Sequence, residues 1–312
     1  MRCSFSFIRL WNYLNIYFLK PFDAVNDTIT SDLMLKFKWK NNYTEIGSGD
    51  GMFSFIMHGN DFPLWFDRYL NVDTTKKNIF EKTENIIFPK FKKKKFKISP
   101  KLSLDARKHH INFVKRLNFS KQFKCSNYEK FRFKKNFHKQ FFIYTPHGLK
   151  NYQKILKNIS KVLKKNDKVF ALVYLKNVNQ NFIFYNLAKK SKGKFKKFFS
   201  IMDNGRFNEA KKISKNFMEW KKSFSQNRLV IKDYYTGLSP FAWKVYDIQT
   251  RPILKILISF FSIIPFFLRR LIKFIWMVFF YPVICLTYIG CSNIRKSYKN
   301  ENCYIAFELK KY

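Results

Sequence analysis

Between residues 42 and 175, apolar runs of strand length alternate with segments of helical periodicity, which confines the chain to a mostly parallel sheet flanked by helices. Strands are expected at 42–47, 101–105, 123–127, 139–145 and 168–175, and helices at 51–58, 106–117 and 149–165. The last helix is the clearest: Ile155, Ile159, Val162 and Leu163 recur on one face, and Asn166-Asp167 supplies a turn. Residues 1–40 read as one or two helices with caps at Asp27-Thr28 and Ser31-Asp32. Residues 178–226 read as polar helices, and 228–235 and 303–309 as further strands. With 39 Phe in 312 residues there is ample material for a core, and disorder of the whole chain is excluded.

The motif that carries chemistry is Glu45-Ile46-Gly47-Ser48-Gly49-Asp50-Gly51, a glycine turn directly after the first strand. Glycine tolerates positive φ and puts no Cβ in the way, so the backbone can approach a ligand closely. An anionic group can then meet the amides at the start of the next helix. Asp105 ends the second strand, where a carboxylate can accept hydrogen bonds from two ribose hydroxyls. Asn127-Tyr128-Glu129 follows at a third strand end, then the strand around Phe141, then Thr145-Pro146-His147-Gly148-Leu149. The nicotinamide fingerprint G-x-G-x-x-G is not matched.

In order and spacing these segments resemble the class I S-adenosylmethionine (SAM) dependent methyltransferases of the small-molecule "type 11" group, over residues 43–176. E-I-G-S-G-D-G matches the first SAM motif, S-N-Y-E-K-F-R-F the segment beside the adenine, and K-V-L-K-K-N-D-K-V the turn before the fifth strand. The resemblance implies a Rossmann-like sheet, mostly parallel with an antiparallel last strand and helices on both faces. It implies SAM as cofactor, held by Glu45, Gly47, Ser48, Gly49, Gly51, Asp105, Ala106, Asn127, Tyr128 and Tyr144. Residues 60–97 are then an insertion after the first helix of a core at 41–176. Residues 1–40 form an N-terminal helical segment, and 177–312 a helical, acceptor-binding region. Asp67 stands at the usual distance from the glycine turn and rivals Asp105 for the ribose, but only Asp105 has the right distances to Asn127 and Phe141.

A sulfonium brings its own electrophile, so the protein mainly aligns the nucleophile and excludes water, and a general base is optional. His147, after the fourth strand, is the candidate base; Asp67 is the second catalytic candidate and, with Arg68 and Tyr69, a candidate for the acceptor pocket. His109-His110 reads as a solvated pair. The five cysteines are scattered without metal-ligand spacing, so reduced thiols and no metal are expected.

Lys and Arg total 61 against 20 Asp and Glu, a formal charge of +41. A surface so basic favours anionic partners. Two apolar stretches, 253–268 and 274–290, flank Arg269, Arg270 and Lys273. The second would span about 26 Å as a helix, barely a bilayer. Because strand 303–309 must return to the sheet, a two-span hairpin would put the arginines outside, against the positive-inside tendency. A hairpin at 253–290 lying in the interface avoids this; a helical cap packed on the domain is the other reading. The first twenty residues lack a signal-peptide pattern. The expectation is a cytoplasmic SAM methyltransferase, peripheral on the inner face of the membrane, with a small-molecule or lipid-linked acceptor. Alternatives are an RNA methyltransferase, which no RNA-binding motif supports, and a non-enzymatic binding protein on the same fold.

Overall fold

The computed structural model describes residues 2–69, 89–92, 95–135, 139–144, 151–250, 252–298 and 302–312. In chain order come α1 (Arg2–Ile16), α2 (Pro21–Met34), β1 (Tyr43–Ile46), α3 (Met52–Met57), β2 (Pro100–Asp105), α4 (Lys108–Leu117), β3 (Gln122–Cys125), β4 (Gln140–Tyr144), α5 (Tyr152–Ser160) and β5 (Lys168–Tyr174). They are followed by α6 (Ile183–Lys190), α7 (Gly193–Ile213), α8 (Phe217–Ser225), β6 (Leu229–Gly237), α9 (Pro240–Thr250), α10 (Pro252–Ile263), α11 (Phe266–Cys291) and β7 (Tyr304–Lys311).

One seven-stranded sheet has the order β3-β2-β1-β4-β5-β7-β6. The first five strands are mutually parallel, and β7 runs antiparallel to both β5 and β6. This is the Rossmann-like sheet expected from the sequence, mostly parallel with an antiparallel last strand. The order reverses between β1 and β4, and a crevice for ligands opens at the carboxyl ends of strands at such a switch point. The central strands are continuous apolar runs because both faces are covered: in β5, Val169 to Tyr174 are all buried. The edge strand β3 is largely exposed.

Strand pleating sends alternate residues to two cores. Phe142 and Phe170 join Tyr13, Phe55 and Trp243 on the side of α1, α2, α3 and α9. Phe141, Ile143 and Val169 join Ile155, Ile159 and Trp220 on the side of α5 and α8. Helix α2 starts at Pro21 and is buried almost throughout. Asp27-Thr28 and Ser31-Asp32 are therefore interior residues and not caps: the Tyr17 hydroxyl donates to Asp27 at 3.0 Å, and Ser6 donates to Asp32 at 3.0 Å.

The apolar segment also differs from expectation. The break falls at Ile264-Pro265, so Arg269, Arg270 and Lys273 lie in the first turns of a 26-residue α11 rather than between two apolar helices. Proline cannot extend α10, and the Arg269 guanidinium donates back to the carbonyls of Ser262, at 2.8 Å, and Ile264. Helix α11 is long and apolar enough to cross a membrane, and 22% of its most apolar window is buried. Its inner stripe seats on α1 and α2. Trp11 meets Tyr281 edge-on at 5.0 Å, the Tyr281 hydroxyl donates to the Phe7 carbonyl at 2.7 Å, and Tyr288 bonds to Asp32.

Candidate functional site

At the switch point the chain leaves β1 and turns through Gly47, Ser48, Gly49, Asp50 and Gly51 into α3. Gly47, Gly49 and Gly51 have φ of 75°, 56° and 80°, a region that L side chains rarely enter. Gly47 and Ser48 donate to the Leu104 carbonyl at 2.8 and 3.1 Å, and Gly51 donates to Ser48 at 3.0 Å. A Cβ on Gly51 would come within 3.0 Å of Leu117 and 3.1 Å of Val114, whereas one on Gly49 would meet nothing within 4 Å. Gly51 thus lets the turn rest on α4, while Gly49 fronts open space.

Asp105, at the end of β2, binds this turn to its neighbours. Its Oδ2 accepts from the Gly49 amide at 2.9 Å and the Tyr128 hydroxyl at 3.1 Å. Its Oδ1 accepts from the Arg107 amide at 2.9 Å and faces His110 Nδ1 at 3.2 Å. Burial opposes the charge, but the hydrogen bond and charge of His110 and the two amides outweigh it and hold the carboxyl below its usual range. His110 is therefore a partner of Asp105 and not part of a solvated pair. The Ala106 amide meets the Tyr128 hydroxyl at 3.2 Å. Asn127 caps its own turn by accepting from the Glu129 amide at 2.8 Å.

Glu45 lies under the turn, fully buried, with Ser54 donating to Oε1 and Ser103 facing Oε2 at 3.4 Å. Burial pushes its carboxyl up to about 8, against the serine hydrogen bonds. Tyr144, closing β4, stacks on Phe53 of α3 with centroids 4.1 Å apart and planes within 6°.

Asp50 carries the turn into a second layer that sequence reasoning missed. Arg68 Nη2 lies 2.5 Å from Asp50 Oδ2, and Arg68 Nη1 donates to the Tyr17 hydroxyl at 2.6 Å, which itself donates to Asp27. The Tyr69 hydroxyl donates to Asp23 at 3.1 Å, and Lys20 pairs with the same carboxylate. Desolvation, with the Asp23 charge adding, pushes Asp27 up to about 7. Burial raises the Tyr144 hydroxyl well above its ordinary value, and the Asp27 charge adds to this. In the sequence Asp23 and Asp27 stand one helical turn apart in an otherwise weakly patterned segment, and that spacing was the only signal.

Asp67 Oδ1 accepts from the Tyr69 amide at 2.6 Å, and its charge opposes Lys273 of α11, which donates to the Phe66 carbonyl at 2.5 Å. Arg68, its neighbour, makes the contact with the turn. His147 lies outside the described residues. No group of His, Cys, Asp and Glu suited to a metal ion occurs among the described residues.

No family model and no curated protein matches the sequence. Solved structures of similar trace do exist. A SAM-dependent methyltransferase of Thermotoga maritima aligns over 97% of this chain and 100% of its own, at 11% identity and a TM-score of 0.49. An O-methyltransferase of a polyketide synthase from Brevibacillus brevis, solved with S-adenosyl-L-homocysteine, aligns at 13% identity and a TM-score of 0.38 over 87% of this chain. This chain spans 66% of that structure's length. The geranyl diphosphate C-methyltransferase of Streptomyces coelicolor aligns over 91% of this chain and 75% of its own, at 10% identity and a TM-score of 0.42.

Proposed function

We propose that the chain is a SAM-dependent methyltransferase acting on a small or lipid-linked acceptor at an anionic membrane surface. The observation that carries this reading is Asp105: an ionised carboxylate at the end of β2, 2.9 Å from the Gly49 amide of a left-handed glycine turn, at the switch point of the sheet. The residues fit the cofactor. Gly49 leaves room for close approach, Asp105 suits vicinal sugar hydroxyls, and Tyr128 and Ala106 flank the side where an adenine would lie. When bound, SAM supplies a methyl group on an electrophilic sulfonium.

The chain's own residues would do the rest. The turn amides and Asp105 orient the cofactor, and the Phe53–Tyr144 stack keeps water from the end of β4. The site then faces a membrane by way of α10 and α11, whose outer side exposes Phe267 and Phe279 at 74% each. Contiguous apolar surface of this extent marks an interaction face. Because the inner stripe of α11 is fastened to α1 and α2, the helix suits lying along a bilayer better than crossing one.

Calorimetry with SAM, followed by labelled-methyl transfer to cell extracts, tests the activity; a protein that takes up no SAM sinks it. Flotation with vesicles tests the docking independently.

A further inference from the structure

A cavity of about 320 Å³ opens between α11 and Leu64. Its buried floor is Met277 and Lys273; Phe267, Leu271 and Phe274 form one wall and Leu64 the other. The wall residues recur every three to four positions and so make a single stripe along the helix. The four apolar wall side chains are all exposed, with Phe267 at 74%. Apolar walls so open to water are covered favourably by a hydrocarbon chain.

Among the described residues, the same cavity carries one cation with no carboxylate partner. Lys273 is committed to the Phe66 carbonyl and faces Asp67. Arg270, also lining the cavity, is exposed, lies 5.9 Å from the Phe266 ring, and has no carboxylate partner among the described residues. The surrounding sequence is one-signed: residues 248–300 contain no Asp or Glu. A guanidinium at the rim of an apolar groove, where the neighbouring Asp67 carboxylate already faces Lys273, is matched by a phosphate attached to a hydrocarbon chain.

We infer that this groove binds one molecule of an anionic phospholipid, its acyl chain between Leu64 and the Phe267–Phe274 stripe and its phosphate on Arg270. This rests on the reading that the α10–α11 face lies on a membrane, and it adds a defined lipid site to a general surface attraction. The occupied groove would lie beside Phe66 and Asp67, one residue from the Arg68 that holds Asp50 of the glycine turn.

The test uses the full chain, wild type and R270Q and F274S, with vesicles of phosphatidylcholine alone or mixed with phosphatidylglycerol. Flotation reads docking; native mass spectrometry of the released protein reads retained lipid. The wild type should keep one phosphatidylglycerol in preference to phosphatidylcholine. R270Q should lose about tenfold of that preference, as expected for one charge-assisted contact, yet still float. F274S should retain less of either lipid. Both positions are exposed, so neither variant threatens folding. Flotation without a retained lipid, or with equal retention of the two lipids by the wild type, overturns the groove and leaves docking standing. Failure to float overturns the docking reading itself. Displacement of the lipid by millimolar inorganic phosphate would show an anion site without a chain-binding groove, and would also overturn the proposal.

Discussion

Arg68 Nη2 lies 2.5 Å from Asp50 Oδ2 and so ties the segment after α3 to the glycine turn. Both side chains are mostly withdrawn from water, and removing either partner leaves the other without its counter-charge. D50N and R68Q should each lower stability by roughly 1–3 kcal/mol. A double-mutant cycle in urea should show that the two losses do not add. Additive losses would mean that the pair contributes nothing as a pair.

Asp105 is the residue on which cofactor binding is expected to turn. D105N keeps the shape but gives up the charge, and its amide nitrogen, which cannot accept, must face the N–H of Gly49 or Arg107. SAM affinity measured by calorimetry should fall about 10- to 100-fold, with the circular-dichroism spectrum unchanged. Equal affinity in wild type and variant would remove Asp105 from the site.

Two glycines in the turn should respond differently to alanine. G49A strains a left-handed backbone in open space, at a cost of about 1–2 kcal/mol. G51A adds a clash with Leu117 and Val114, so it should be the more destabilising in thermal melts. The reverse order would show that the turn does not rest on α4.

Stability should fall as pH rises toward mild alkali. Asp27 and Glu45 have folded-state values raised to about 7 and about 8. In the unfolded chain both ionise near the usual carboxylate value, about 4. Folding therefore takes up protons above that value, so the linked stability is fully present below about pH 4, falls progressively above it, and is gone once pH has risen through 7 and 8. D27N and E45Q should each flatten that slope in urea titrations between about pH 5 and about pH 9. Asp105 acts oppositely: its carboxyl is held low, so its contribution is present at neutral pH and is lost on acidification.

The outer side of α11 should be dispensable for folding and needed for docking. Replacing Phe267 and Phe279 with Ser removes no described core contact and should change stability by less than about 0.5 kcal/mol. Flotation on anionic vesicles should drop. Loss of the fold instead would show that these side chains are covered in the free protein.

The sheet was legible because its strands are continuous apolar runs, and the glycine turn and Asp105 because their spacing follows from strand ends. What escaped depends on contacts distant in sequence. Asp27 and Asp32 have the composition of helix caps, and only their burial against Tyr17, Arg9 and Tyr288 shows otherwise. His110 looks like a surface residue until β2 brings Asp105 beside it. Asp67 and Arg68 are adjacent, and nothing local says that Arg68 reaches the turn. The break before α11 was misplaced because a cluster of arginines resembles a loop, whereas Pro265 sets the end of α10.

Strand β7 sits between β5 and β6, and β6 has no other partner in the sheet. Everything from α9 through α11 lies between β6 and β7 in the chain. A nascent polypeptide must therefore carry β6 as an unpaired edge, with its most water-averse helices already made, until β7 arrives to close the gap. Such an intermediate invites self-association. Early contact of those helices with a lipid surface or a chaperone would shield it, so the yield of folded protein should depend on when that contact is made.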